Sequence, residues 1–406
     1  MNLNYINRTL SVAALFLVPF LLLWTKNFSV ITIALLIAYS IFFIIKDNIS
    51  LVYDTFDCLV ITCLSIYFVV NIPNVFIDTG EFRYFQGGIR LLLCIPIYIF
   101  IRETLADNCF HIKALSLGII AGSFCSLLIA IYQYFFLGYT RVDGWLYSIN
   151  FGYLSCSLAF LAICLSFDSE YKQYLRLAFI AACISTFLTL TRGAIFAIPI
   201  ITSFIALLNW TTNFNFKKVL LISISFLMIF LIFFFTSNNF QKRINFTIEE
   251  FSSITSGNIH DSVSSGGRIM LWESALKAFL KSPFIGLTYP ERETFNQKLF
   301  ERGEITNWHL GIKRGHAHSQ YFEMLASNGL LGIIGLIGML FLPLTMFSYY
   351  YIKTNNIISL TAATFVAGFS IFGITEVLLQ ANLISAFYGF MLATFFAFIK
   401  HERQSY

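Results

Sequence analysis

Charge is scarce in this chain. Asp, Glu, Lys and Arg make up 12% of its 406 residues, about half of what soluble domains carry, and that shortage excludes a water-facing globule. No run of basic residues suggests nucleic acid, and no low-complexity linker or internal repeat divides the chain. Cysteine is missing where it would matter most. All eight (Cys58, Cys63, Cys94, Cys109, Cys125, Cys156, Cys164 and Cys183) lie in or beside apolar runs, and none lies in the one long polar interval. A disulfide framework or a thiolate metal site in that interval is therefore excluded.

What fills the chain instead is apolar bulk. Hydrophobic residues reach 58% and mean hydropathy is +0.76, the composition of an integral membrane protein. A span needs about 20 mostly apolar residues. Runs of that kind are read at 9–25, 28–45, 55–72, 87–102, 113–137, 150–167, 175–191, 194–210, 217–236, 329–351, 356–374 and 382–399, twelve in all. The expected fold is an all-α polytopic membrane protein of about twelve transmembrane helices. It divides into 1–236 (spans 1–9), a loop subdomain with short helices at 237–328, and 329–406 (spans 10–12 and the tail). The first run follows Arg8 and lacks a small-x-small cleavage site after Trp24, so it reads as a retained span.

Lys and Arg in short loops set the orientation. With both termini cytoplasmic, the inner side holds Arg8, Lys46, Arg102, Lys113, Lys172, Arg176, Lys217, Lys218, Lys353, Lys400 and Arg403. The outer span ends and short outer loops hold Lys26, Arg83, Arg90, Arg141 and Arg192. This bias places the 237–328 loop outside the cytoplasm.

The polar interval 261–332 carries Ser264-Ser265-Gly266-Gly267-Arg268, then Gly315-His316-Ala317-His318-Ser319, and closes on Asn328-Gly329-Leu330-Leu331-Gly332. Ile269, Trp272, Ala275, Leu276, Phe279 and Leu280 follow helical spacing, which predicts a helix ended by Lys281-Ser282-Pro283. Its apolar stripe is expected on the membrane surface or on the outer ends of spans. A second helix is expected over about 317–327, with His318, Phe322 and Leu325 on one apolar face and a break at Asn328-Gly329.

Arginine and histidine gathered at a membrane surface suggest chemistry on an anion that arrives in lipid. Arg192, in Thr189-Leu190-Thr191-Arg192-Gly193, reads as an anion clamp or as a snorkelling interfacial anchor. Arg268 is expected just ahead of a helix, beside glycines including Gly267 that let backbone approach a ligand. A guanidinium suits diphosphate because its planar fork donates two hydrogen bonds and stays charged. His318 suits catalysis or acceptor orientation, since histidine titrates near working pH. His316 reads as structural. Alternatively both histidines face a metal, with His309 or Glu323 as third ligand. Arg83 and Arg90 either extend the phosphate site or anchor the interface. Trp145, near Arg141 and Asp143, is placed to stack on sugar. Glu376 is expected to pair with a buried arginine.

With those motifs in order, the chain resembles the bacterial lipopolysaccharide O-antigen ligase family. The resemblance rests on T-R-G at Thr191–Gly193, G-G-R at Gly266–Arg268, and His318-Ser319 followed nine residues later by Gly329-Leu330-Leu331-Gly332. It implies a membrane-embedded glycosyltransferase that needs no metal or cofactor. The implied donor is a glycan on undecaprenyl diphosphate, and the acceptor is the outer-core sugar of lipid A-core. It further implies a Gram-negative inner-membrane location with a periplasmic site. Arg192 and Arg268 would hold the diphosphate, and His318 would act on the acceptor hydroxyl. Direct displacement would invert the anomeric centre. No glycosidase-type carboxylate pair is evident in the loop. An O-antigen polymerase with a second lipid-linked glycan as acceptor is the nearest alternative. A non-catalytic transporter of the lipid-linked glycan is the more distant one, disfavoured by the paucity of mid-span charge.

Overall fold

A computed structural model describes residues 3–105, 108–210, 216–257 and 264–404. The start of the polar interval, 261–263, lies outside these. No strand occurs among the described residues, and the protein is an all-α polytopic membrane protein. Among the described residues, eleven helical stretches are long and apolar enough to cross a bilayer. The count differs from the expected twelve at the seventh span, where the helix Lys172–Leu188 has only 17 residues. It ends because Leu190 adopts a positive φ of 53°, and the backbone turns there into the next helix, Arg192–Trp210.

The spans sort into an enclosed core and a lipid-facing shell. Asn382–Arg403 is 94% buried and Ser148–Leu165 and Ile357–Thr375 are each 83% buried, whereas Val219–Thr236, at 11%, lies on the periphery. Hydrophobic contrast alone cannot pull helices together in lipid, so close backbone approach matters. Gly118 and Gly122 supply it: a Cβ on either would strike the carbonyl oxygen of Phe16 or Pro19 on the first span. At the end of the bundle where Lys400 lies, the buried Asp57 takes Arg102 at 3.2 Å and Lys400 at 3.3 Å, so the buried charges there are paired.

Helices beyond the spans build the opposite end. Asn238–Thr255 and Ser265–Lys281 precede the short helices Tyr289–Glu301 and Asn307–Leu310. The expected helix over 269–281 is present and begins four residues earlier. Its stripe packs on protein as much as on the surface. Trp272 stacks on Phe322 at 4.9 Å, and Ala275 and Ala278 are buried with Ala317 and Ala326, while Leu276 and Leu280 remain exposed. The expected break at Gly329 is also present, with φ 58° and ψ −137°.

Candidate functional site

Four arginines converge on one cavity of about 490 Å³. Arg192 opens the helix Arg192–Trp210 and Arg268 sits in the first turn of Ser265–Lys281. Arg243 comes from Asn238–Thr255, and Arg141 from the loop before Ser148–Leu165. The far wall is apolar, with Phe196, Ile200 and Ile374 half exposed at the membrane-facing side. Sequence reasoning assigned Arg192 and Arg268 to one site. It did not assign Arg141 or Arg243 to it.

The arginines differ in what already occupies them. Arg192 is not a free clamp. It donates to the Glu250 carboxylate at 2.5 Å and to Ser264 Oγ at 2.7 Å. Glu250 is only 3% exposed and also accepts from the Ser264 and Ser265 backbone N–H groups at 2.6 and 3.0 Å. One carboxylate thus caps the helix Ser265–Lys281 and anchors Arg192. Burial alone would raise the Glu250 carboxyl, but the bonds from Arg192, Ser265 and Ser264 outweigh it and hold it down to about 2. Arg243 is lowered to about 10, first by burial and then by the charges of Arg192 and Arg141. Arg141 is lowered by burial and by Arg192.

Three donors in this cavity lack an acceptor. The Nε atoms of Arg243 and Arg268 and the indole Nε1 of Trp272 are buried with no hydrogen-bond partner among the described residues. Buried donors are normally satisfied, so these leave the cavity chemically suited to an anion. Four guanidinium groups against one carboxylate leave three formal positive charges.

Gly267 does not face this cavity. It is buried in the helix's first turn, and a Cβ there would come within 3.1 Å of the Trp308 ring. The glycine serves packing rather than ligand approach, and Arg268 lies inside the helix rather than ahead of it. Gly193 is the glycine that fits close quarters at the cavity. A Cβ on it would collide with Tyr153 Oη and Thr375 Oγ1, which hydrogen-bond each other at 2.6 Å.

Thr375 leads directly to the second half of the site. The next residue, Glu376, pairs with His318 and not with an arginine: His318 Nδ1 lies 3.2 Å from Oε1 and 3.3 Å from Oε2. Its carboxyl is raised by burial but lowered overall by the hydrogen bond and charge of His318 and by the charge of His316. His318 is outside the expected helix, which begins at Gln320 with Ser319 as its cap. His318 holds a positive φ of 46°, and its side chain is 40% exposed rather than turned with apolar residues. Donation from Nδ1 to Glu376 leaves Nε2 as the acceptor nitrogen.

The loop bearing His318 is held from behind. Glu323 accepts the Ala317 N–H at 2.8 Å and pairs with Arg292 at 2.7 Å. Arg292 also donates to the Gly315 carbonyl and to Ser327 Oγ. His316 is lowered by burial, and its Nδ1 accepts the His318 N–H at 3.3 Å. The metal-type grouping the fold assembles is His316, His318 and Glu376, whose ligand atoms lie within 4.8 Å of one another. It is not the set anticipated from sequence, because His309 bonds Thr306 and Glu323 is taken by Arg292.

Neither Arg83 nor Arg90 joins the arginine cavity. Arg90 donates weakly to Ser385 Oγ at 3.4 Å, and Arg83 lines a separate cleft. Trp145 donates to the Trp24 carbonyl at 3.1 Å and is otherwise exposed.

Residues 177–337 match the sequence model of a family described as O-Antigen ligase. That segment contains Arg192, Arg243, Glu250, Arg268, His316 and His318, while Arg141 and Glu376 lie outside it. The chain is 26% identical over 332 residues to a Haemophilus influenzae protein described as "Uncharacterized protein", covering 79% of each. It is 31% identical over 173 residues to a protein of Escherichia coli K12 described as "O-antigen ligase", covering 41% of this chain and 38% of that one. The chain therefore carries an O-antigen ligase family domain within a multi-pass membrane protein.

Proposed function

We propose that this protein is an O-antigen ligase, which moves the O-antigen glycan from undecaprenyl diphosphate to the outer-core sugar of lipid A-core. The reaction would occur at the periplasmic face of a Gram-negative inner membrane. The observation that carries the reading is the cavity's division into an arginine end with unpartnered donors and an apolar wall at the membrane side. A polyprenyl diphosphate has the same division.

In this reading the diphosphate accepts from Arg268, Arg243 and Arg192, and the prenyl chain runs along Phe196, Ile200 and Ile374. The glycosyl carbon then lies toward Thr375 and the His318–Glu376 pair. His318 Nε2 takes the proton from the acceptor hydroxyl as its oxygen bonds to the anomeric carbon. The bond from that carbon to the phosphate oxygen breaks on the opposite face, inverting the centre. Undecaprenyl diphosphate leaves with one more negative charge than it carried as a diester. Three formal positive charges against that leaving group stabilise the departing state more than the bound donor, as catalysis requires. Glu376 holds His318 in orientation and offsets the imidazolium that forms.

The test is genetic and chemical. In a deletion strain, lipopolysaccharide is run on a gel and the undecaprenyl-linked pool is assayed. Ligase loss leaves bare core and long lipid-linked glycan. Core bearing a single repeat would show a polymerase, and normal laddered lipopolysaccharide would remove the proposal.

A further inference from the structure

Besides the four arginines assigned to the donor, Arg83 and Arg314 line a second cleft. Arg314 immediately precedes Gly315, and Glu323, which fixes Ala317, lines the same cleft as Arg83. This cleft shares no lining residue with the four-arginine cavity. Residues next to the histidine loop and to Glu376 thus line both recesses, Thr375 the first and Arg314 and Glu323 the second.

Arg314 is held deliberately. Its φ is 61°, a conformation that costs a non-glycine residue free energy and persists only where surroundings enforce it. Glu293 enforces it by accepting the Arg314 N–H at 2.8 Å. The guanidinium lies 5.2 Å from the Tyr289 ring centroid, and Tyr289 stacks on Tyr84 at 4.2 Å. Tyr84 Oη accepts the Tyr289 N–H and donates to Asp78, both at 2.7 Å. The stack covers the tyrosine faces and presents a cation. Neither Arg83 nor Arg314 forms an ion pair among the described residues. Phe82, next to Arg83, and Phe76, two residues before the Asp78 that Tyr84 bonds, are 73% and 81% exposed, bulk that suits a membrane interface.

We propose that Arg83 and Arg314 form a second anion subsite, one that takes phosphate groups on the lipid-anchored saccharide acceptor. The inference rests on the transferase reading. An inverting displacement brings the acceptor to the face of the sugar opposite the leaving diphosphate, so its subsite must lie across the histidine from the donor arginines. The exposed aromatics keep that subsite at the depth where a lipid-anchored sugar resides.

The test uses full-length protein in nanodiscs, with purified lipid A-core and undecaprenyl-linked glycan. Arg83→Gln and Arg314→Gln each raise the acceptor KM about tenfold, the worth of one charge-assisted bond, and leave the donor KM in place. Enzymatic removal of the acceptor's phosphates raises the wild-type KM similarly and erases the difference between wild type and variants. Arg83 is exposed and its side chain makes no ion pair among the described residues, so its variant reports even if Arg314→Gln misfolds. An unchanged acceptor KM in Arg83→Gln, or a penalty that persists on dephosphorylated acceptor, overturns the proposal. So does equal relief by excess anionic phospholipid, which would make the recess a headgroup site. Absence of any transfer by wild type would instead overturn the transferase reading itself.

Discussion

Arg268→Ala separates binding from folding in a way the structure makes quantitative. Arg268 Nε is buried and bonded to nothing among the described residues, and its charge adds to the repulsion felt by Arg243. Truncation therefore removes no protein contact of that atom and relieves a like-charge interaction. Thermal stability should stay level or rise slightly. Donor binding should suffer, because a guanidinium fork offers diphosphate two charge-assisted bonds, worth together about 3 kcal/mol. That corresponds to roughly a hundredfold in donor Kd or KM. Arg192→Ala supplies the contrast. It strands the Glu250 carboxylate, 3% exposed, at a cost of about 3–5 kcal/mol in stability, so that variant loses melting temperature as well as activity. The assay pairs thermal unfolding in detergent with titration of a polyprenyl diphosphate lacking the glycan. If Arg268→Ala unfolds as early as Arg192→Ala, or binds the diphosphate as wild type does, the division between a ligand-facing and a fold-locking arginine is wrong.

Other outcomes follow from the same geometry. His318→Ala should lower kcat by about 10²–10⁴-fold with donor Kd unchanged, and Glu376→Gln should lower it as well by leaving His318 in the wrong tautomer; single-turnover transfer in nanodiscs measures both. Glu250 sits below its ordinary carboxyl range, so its stabilisation is fully present above pH 4.5 and is lost as pH falls toward about 2. Acid melting curves should show that loss, and Glu250→Gln should flatten it. Gly193→Ala should drive Tyr153 from Thr375 and cost about 1–3 kcal/mol by overpacking, read as lower melting temperature together with reduced transfer.

The spans, the helix over 269–281 and the break at Gly329 were legible because apolar length and 3.6-residue periodicity are local properties of a sequence. Arg192, Arg268 and His318 stood out as candidates because each stands in a short motif. Arg243 and Glu250 did not, although a signal existed. Arg243, Thr247 and Glu250 recur at i, i+4 and i+7 on the helix Asn238–Thr255, a polar stripe opposite no apolar core. Its meaning depends on Arg192, 58 residues from Glu250 in the chain, and no local pattern reports such a pairing. His318 was misplaced for a related reason. Helical spacing ran plausibly through it, whereas the loop's conformation is imposed from outside by Arg292 and Glu323.

The Arg192–Glu250 pair also couples the donor to the architecture. The span preceding Asn238–Thr255 is peripheral, and on that helix only Phe240 and Glu250 are buried. Phe240 packs among Phe187, Phe230 and Phe233, which fixes the helix's start. Its far end, and the N-terminus of Ser265–Lys281 with it, is held by Glu250. A diphosphate that draws hydrogen bonds from Arg192 does so in competition with Glu250, the group that anchors Arg243 and Arg268 in place. In the proposed reaction, donor affinity would therefore be set by a difference between two anions on one guanidinium. Departure of undecaprenyl diphosphate in that reaction would return Arg192 to Glu250 and so favour product release.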